Sequence, residues 1–130
     1  VTSTVWNAVE TWVLDLALEW EVLLDLPSIT VEHVFVPTTR DDDADTAADT
    51  DPKWQYRQAT IRWYLPVCAS MGREALEAVL VHEYAHVLMG AINDRLKPGS
   101  DEHAEYATEN VARALLALRY TDRGSDASEP

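Results

Sequence analysis

Residues 79–88 read Val79-Leu80-Val81-His82-Glu83-Tyr84-Ala85-His86-Val87-Leu88, two histidines four apart inside an apolar run. On a helix, residues at that spacing point from the same face. Both imidazoles can therefore reach one metal ion. Glu83 lies one residue after His82 and three before His86, at the edge of the same face. There its carboxylate can hold a water beside the metal without being a ligand. The two variable positions, Tyr84 and Ala85, are uncharged, and Val79, Val87 and Leu88 flank the group, as a helix lying under a cleft requires.

His-Glu-x-x-His on a helix is the spacing of zinc-dependent peptide hydrolysis. Two histidines do not complete such a site, because catalytic zinc takes three protein ligands and leaves a position for water. A Gly and a His three and six residues after His86 would be one route, but Met89 and Ile92 stand there. The other route is a carboxylate or histidine on a following helix, where Glu102, His103, Glu105 and Glu109 are available. In that helix Val111, Leu115 and Leu118, with Ala104 and Ala107, form the expected apolar face. Glu102, Glu105, Glu109, Ala112 and Leu116 form a second stripe at spacings of three and four. A stripe that turns from apolar to three carboxylates is what a helix shows when half of it faces a metal. An acidic first turn favoured by the helix dipole explains Glu102 equally well, but not Glu109.

The remaining elements follow from periodicity and punctuation. Val5, Val9, Trp12, Val13, Leu16, Trp20, Leu23 and Leu24 predict a helix over 4–25, ended by Pro27 and Ser28, with Trp6, Trp12 and Trp20 as core packing. Residues 29–36 and 55–65 are rich in β-branched and aromatic side chains and predict two strands. The histidine helix is expected from Ser70 or Met71 to Met89, stopped by Gly90. The glutamate helix is expected from a Ser100 cap to about Arg119. Residues 1–120 read as a single domain and 121–130 as a flexible tail. Residues 41–51 hold six aspartates and no apolar period, and so are expected to be an acidic loop. A calcium loop would want Gly at its sixth position and Glu at its twelfth, where Thr46 and Pro52 stand.

His82-Glu83-x-x-His86, followed about twenty residues later by a helical Glu, resembles the gluzincins. In size and layout the chain looks most like the small phage-type and ImmA/IrrE-type HExxH metallopeptidases. Their glutamate helix carries a pattern similar to E-x-x-A-N-x-F-A-x-x-L-L. Glu105, Ala112, Leu115 and Leu116 match it, Val111 stands for the Phe, and Thr108-Glu109 replaces the Ala-Asn pair. The resemblance covers about residues 73–119. It implies an α+β minimal zincin-like domain: an N-terminal helix behind a short antiparallel sheet, then the HExxH helix and the glutamate helix. It implies Zn²⁺ held by His82, His86 and Glu105, with Glu102, His103 and Glu109 as alternates. Glu83 becomes the catalytic base, and Glu109 orients a ligand histidine through its other ring nitrogen. His103, Tyr106 and Tyr84 are candidates for stabilising the oxyanion. Residues 61–65 become the edge strand that binds substrate by strand addition.

Composition bounds these expectations. The chain has 130 residues and a formal charge of -13, from 10 Lys+Arg against 23 Asp+Glu. No nucleic-acid partner and no anionic-membrane partner is expected for such a surface. Hydrophobic content of 47% supports a core. The lone Cys68 excludes a thiolate cluster and fits a reducing, cytoplasmic setting. The first twenty residues lack the basic start and unbroken apolar stretch of a secretory leader. The expected partner is a peptide or protein substrate, with a further protein partner compatible with the acidic surface. The alternatives are a zinc-stabilised structural or adaptor protein, such as one of phage origin, and a metal-free helical interaction domain.

Overall fold

The computed structural model describes residues 2–24, 29–53, 56–93 and 101–128. Among these the fold is mixed α+β, with four helices and a three-stranded sheet. The order is α1 (Thr2–Leu24), β1 (Thr30–Val36), β2 (Ala48–Lys53), β3 (Gln58–Tyr64), α2 (Leu65–Cys68), α3 (Arg73–Asn93) and α4 (Asp101–Ser128). No helix described is long and apolar enough to cross a membrane.

The sheet differs from the expected antiparallel one. Its order is β1-β3-β2, with β1 parallel to β3 and β2 antiparallel to it. The acidic segment explains this topology. After Val36 the chain crosses the end of β3, returns as β2 on the far side, and then turns back into β3. The crossing is closed where Tyr64 N donates to Ala47 O at 2.8 Å and the Cys68 thiol reaches the same carbonyl at 3.3 Å. The expected loop over 41–51 is therefore corrected, since its last four residues belong to β2. The expected edge strand is corrected too: residues 61–64 lie in the central strand, and β2 is the edge. Arg57, at φ 52°, takes the left-handed conformation that turns the chain into β3, and its carbonyl accepts from Thr30 N.

Pairing sets which side chains share a face. His33 lies opposite Ile61 and Ile61 opposite Thr50; Phe35 lies opposite Trp63 and Trp63 opposite Ala48. This face packs on the helices, and Ile61 and Trp63 are fully buried there. The other face carries Glu32, Thr60, Arg62, Asp49 and Asp51, a polar surface suited to a sheet covered on one side. The α1 spine is Val9, Val13, Leu16, Ala17 and Trp20; Val5 and Leu23 are exposed rather than part of it. Tyr84, Leu76, Leu80 and Val81 of α3 complete the core.

Several helix ends move. Leu65 opens the short helix α2 rather than ending a strand, with Pro66 in its first turn, where a missing N–H costs nothing. The Ser70 hydroxyl donates back to Val67 O, so it does not cap α3, which starts at Arg73. Helix α3 continues through Gly90 to Asn93, and α4 runs on to Ser128 instead of giving way to a tail after residue 120. The stops expected at Pro27 and Ser28 and the cap expected at Ser100 lie outside the described residues. On α4 the buried side is Thr108 and Ala112, flanked by Val111, Leu115 and Leu116, whereas Leu118 is exposed. The side that faces the body of the protein thus runs between the two expected stripes, taking Val111 and Leu115 from one and Ala112 and Leu116 from the other.

Candidate metal centre

Helix α3 runs beneath the edge strand β2, and α4 packs along it. One turn of α3 sets His82 above His86, and the acidic half of the α4 stripe lies across from them. His82 Nε2 and His86 Nε2 are 3.2 Å apart. Glu105 Oε1 is 3.1 Å from His82 Nε2, and Glu105 Oε2 is 3.3 Å from His86 Nε2. Four ligands at zinc distances of about 2.0–2.2 Å in a tetrahedron stand roughly 3.3–3.6 Å from one another. The three groups therefore have the spacing and the donor chemistry, two imidazoles and a carboxylate, that could hold such an ion. Both histidines are about one-fifth to one-quarter exposed, while Glu105 is 58% exposed, so the group opens to solvent on the α4 side.

The other ring nitrogen of His82 is also engaged. Its Nδ1 lies 2.6 Å from Glu109 Oε2, which fixes the ring with Nε2 turned toward His86 and Glu105. Glu109 is held in turn by Arg113, whose Nε donates to Oε1 at 3.0 Å. Burial works to raise the pKa of Glu109, but the bonds from Arg113 and His82 outweigh it and keep the carboxyl below its ordinary range. Burial lowers the pKa of His86, with Glu105 pulling the other way, and this favours the neutral imidazole that a metal needs.

Glu83 is buried, 6% exposed, at the meeting of two cavities. Burial pushes its pKa up to about 7, against the opposing effects of the Thr50 hydrogen bond and the His82 charge. The Thr50 hydroxyl donates to Glu83 Oε1 at 2.6 Å. Thr50 lies on β2, inside the segment that reads as a featureless acidic loop, and sequence reasoning missed it. The signal was there: residues 48–53 alternate uncharged Ala48, Thr50 and Pro52 with charged Asp49, Asp51 and Lys53, the period of a strand.

The first cavity is polar, about 420 Å³, and contains His82, Glu83, His86 and Glu105 together with Asp49, Thr50, Asp51, Arg40 and Arg62. Asp49 gathers its cations: Arg62 binds it at 2.9 Å and 3.3 Å, Tyr64 donates at 2.8 Å, and Arg40 stands at 3.7 Å. The second cavity, about 490 Å³, shares Ala48, His82 and Glu83 with the first but has mainly alanine and aliphatic walls.

Other sequence candidates fare differently. Tyr84 is fully buried and points away from both cavities, where His33 Nε2 meets its hydroxyl at 3.2 Å. It is therefore not available to an oxyanion. Tyr106 is 71% exposed and lines neither cavity. The side chains of Glu102 and His103 lie outside the described residues. Comparison of the chain with protein families, with curated proteins and with solved structures found no match.

Proposed function

We propose that this chain is a zinc-dependent peptidase of the gluzincin kind, with His82, His86 and Glu105 as the metal ligands. The observation that carries the reading is the convergence of those three groups at 3.1–3.3 Å beside a buried carboxylate, Glu83. A purely structural metal site has no need of that carboxylate. Burying one costs several kcal/mol where it is not fully paired, so its position asks for a chemical reason. The zincin-like reading of the fold rests on the same arrangement: an antiparallel edge strand above the histidine helix, with a glutamate helix beside it.

Zinc, when bound, supplies Lewis acidity and lowers the pKa of a coordinated water toward ~7. Glu83 takes the proton of the attacking water at Oε2, the oxygen that Thr50 leaves free, and passes it to the departing amine as the C–N bond breaks. Glu109 keeps Nδ1 of His82 engaged, so that Nε2 stays available to the metal. The outer edge of β2 offers backbone donors and acceptors to an extended peptide, and Asp49, Thr50 and Asp51 bring that edge to the polar cavity.

The test is metal analysis joined to two variants. One zinc per chain is expected, with near-complete loss in His82→Ala. Glu83→Gln should retain zinc and lose cleavage of a denatured protein substrate. If zinc is retained and neither wild type nor any variant cleaves, the non-catalytic adaptor reading replaces this one.

A further inference from the structure

Helix α1 is apolar on two sides. One is the buried spine, Val9, Val13, Leu16, Ala17 and Trp20, which holds it to the body of the protein. The other is a ridge facing outward. Leu14, Leu18 and Val22 follow one another at spacings of four and are 46%, 69% and 81% exposed. At ~100° per residue Leu18 points opposite to Val9, so no rotation of the helix about its axis could bury both sides at once. A surface helix normally turns polar side chains outward, as the first half of α1 does with Thr4, Asn7 and Thr11. The second half turns the same ridge aliphatic. None of the three side chains lines a cavity at the candidate metal centre. Contiguous exposed apolar surface of this kind marks a place that another molecule covers.

The charges beside the ridge fix what kind of molecule fits. Glu10 and Glu21 flank it on one side and Asp15 and Glu19 on the other, and α1 contains no Lys, Arg or His. Glu19 is taken by Arg119 at 2.9 Å and by Arg73 at 3.7 Å, and Glu21 by Tyr84. Glu10 and Asp15 pair with no cation among the described residues. A second copy of the chain is a poor occupant. Pairing α1 with itself sets these carboxylates against their own kind, on molecules that each carry -13. Three aliphatic side chains also fall short of the roughly 800 Å² per partner that a stable dimer buries.

We propose that this ridge docks a basic amphipathic helix of a partner protein, its apolar stripe on Leu14, Leu18 and Val22 and its lysines or arginines beside Glu10 and Asp15. A ridge of spacing four is the kind that packs into the groove of a crossing helix. Recognition of this sort reads apolar anchors at spacings of three and four. The ridge stands apart from the metal centre, so docking there leaves both cavities open and does not depend on whether the chain cleaves peptides.

The probe is a labelled synthetic peptide of about 18 residues, leucine and lysine only, with its leucines at spacings of three and four. Its binding is followed by fluorescence anisotropy at about 0.15 M salt. Wild type should bind it about tenfold or more tightly than a scrambled peptide of the same composition, and should not bind the version with Glu in place of Lys. Leu18→Gln and Val22→Gln should each weaken binding by about tenfold. Both side chains are exposed, so the melting temperatures should stay close to wild type. Glu10→Gln combined with Asp15→Asn should weaken binding several-fold and flatten its salt dependence. Equal binding of the scrambled peptide reduces the surface to bulk charge and overturns the docking site. So does binding that Leu18→Gln leaves unchanged, or no binding at all. A wild-type dimer in sedimentation equilibrium that Leu18→Gln dissolves would give the ridge to a second copy instead. Co-sedimentation with phosphatidylcholine vesicles that needs Leu18 would give it to a lipid surface.

Discussion

Helix α3 carries two buried carboxylates six residues apart, and they differ in almost everything except burial. Glu77 is 2% exposed and Glu83 6% exposed. Glu77 is enclosed. Trp20 Nε1 donates to its Oε2 at 2.7 Å, the Tyr120 hydroxyl donates to its Oε1, and Arg119 Nε stands 4.0 Å away. Arg119 also lies 5.0 Å over the Trp20 ring and bonds Glu19 at 2.9 Å, so this cluster ties α1, α3 and α4 together. Glu83 accepts from Thr50 and faces two cavities and the His82, His86 and Glu105 group, which could hold a metal ion. A buried carboxylate whose oxygens are both held by donors is a fastening. One that keeps an oxygen free in a cavity is available for chemistry.

The largest test of that contrast exchanges each carboxylate for its amide. Glu83→Gln should reduce kcat by about 10²–10⁴-fold, the usual contribution of a general base, with zinc content and melting temperature little changed. Glu77→Gln should leave kcat/KM within about threefold of wild type. Equal losses of activity in the two variants would erase the distinction. Stability should divide the other way. Glu77→Ala strands the Trp20 and Tyr120 donors and leaves Arg119 without its buried neighbour, so urea unfolding should show a loss of about 3 kcal/mol.

A third polar cluster sharpens the comparison, because its group is half-buried and neutral. His33 Nδ1 accepts from Trp63 Nε1 at 3.1 Å, and its Nε2 meets the Tyr84 hydroxyl at 3.2 Å. Tyr84 in turn hydrogen-bonds Glu21, whose charge adds to burial in raising the Tyr84 pKa. Nδ1 must stay unprotonated to accept from Trp63, and burial lowers the His33 pKa to about 4. The unfolded chain binds this proton near pH 6.5, so between pH 6.5 and about 4 the unfolded state holds more protons. Stability therefore falls as pH falls through that window, by at most about 3 kcal/mol from this group. His33→Gln should flatten that part of the urea-stability profile relative to wild type. Parallel profiles would mean that the histidine titrates equally in both states.

How much of this was legible depends on how local the information is. His82, Glu83, His86, Glu105 and Glu109 lie on two helices, where a repeat of 3.6 tells which side chains share a face. The period set His82, Glu83 and His86 on one face and Glu102, Glu105 and Glu109 on another; the choice of Glu105 as ligand and of Glu109 as its support came from the resemblance, not from the period. The sheet was harder. Parallel pairing of β1 with β3 depends on a chain crossing that no short window contains. Strand β2, Ala-Asp-Thr-Asp-Pro-Lys, is built from residues that strands usually avoid. Pro52 fits there because an edge strand can spare an N–H. On α4 only part of the expected apolar face is covered: Val111 and Leu115 pack on the core, but Leu118 is exposed although Arg119 and Tyr120 beyond it still reach Glu19 and Glu77, so Leu118 lies on the side turned away from the neighbouring helices. Periodicity reports a face, not what lies opposite.

The smallest expected effect tests the link between these two kinds of information. Thr50 joins the non-local strand to the local helix through one bond of 2.6 Å to Glu83 Oε1. That bond restricts which carboxylate oxygen faces the cleft, and its loss frees the side chain to rotate. Thr50→Val keeps the shape and the β-branching but removes the donor, and should lower kcat by about tenfold, the value of one charge-assisted hydrogen bond. Thr50→Ser restores the hydroxyl and should recover most of that loss. Zinc content should be the same in both variants, since Thr50 lies beside the base and not among the ligand atoms. If Val and Ser behaved alike, the role of β2 would shrink to its backbone edge, and Glu83 would owe its orientation to α3 alone.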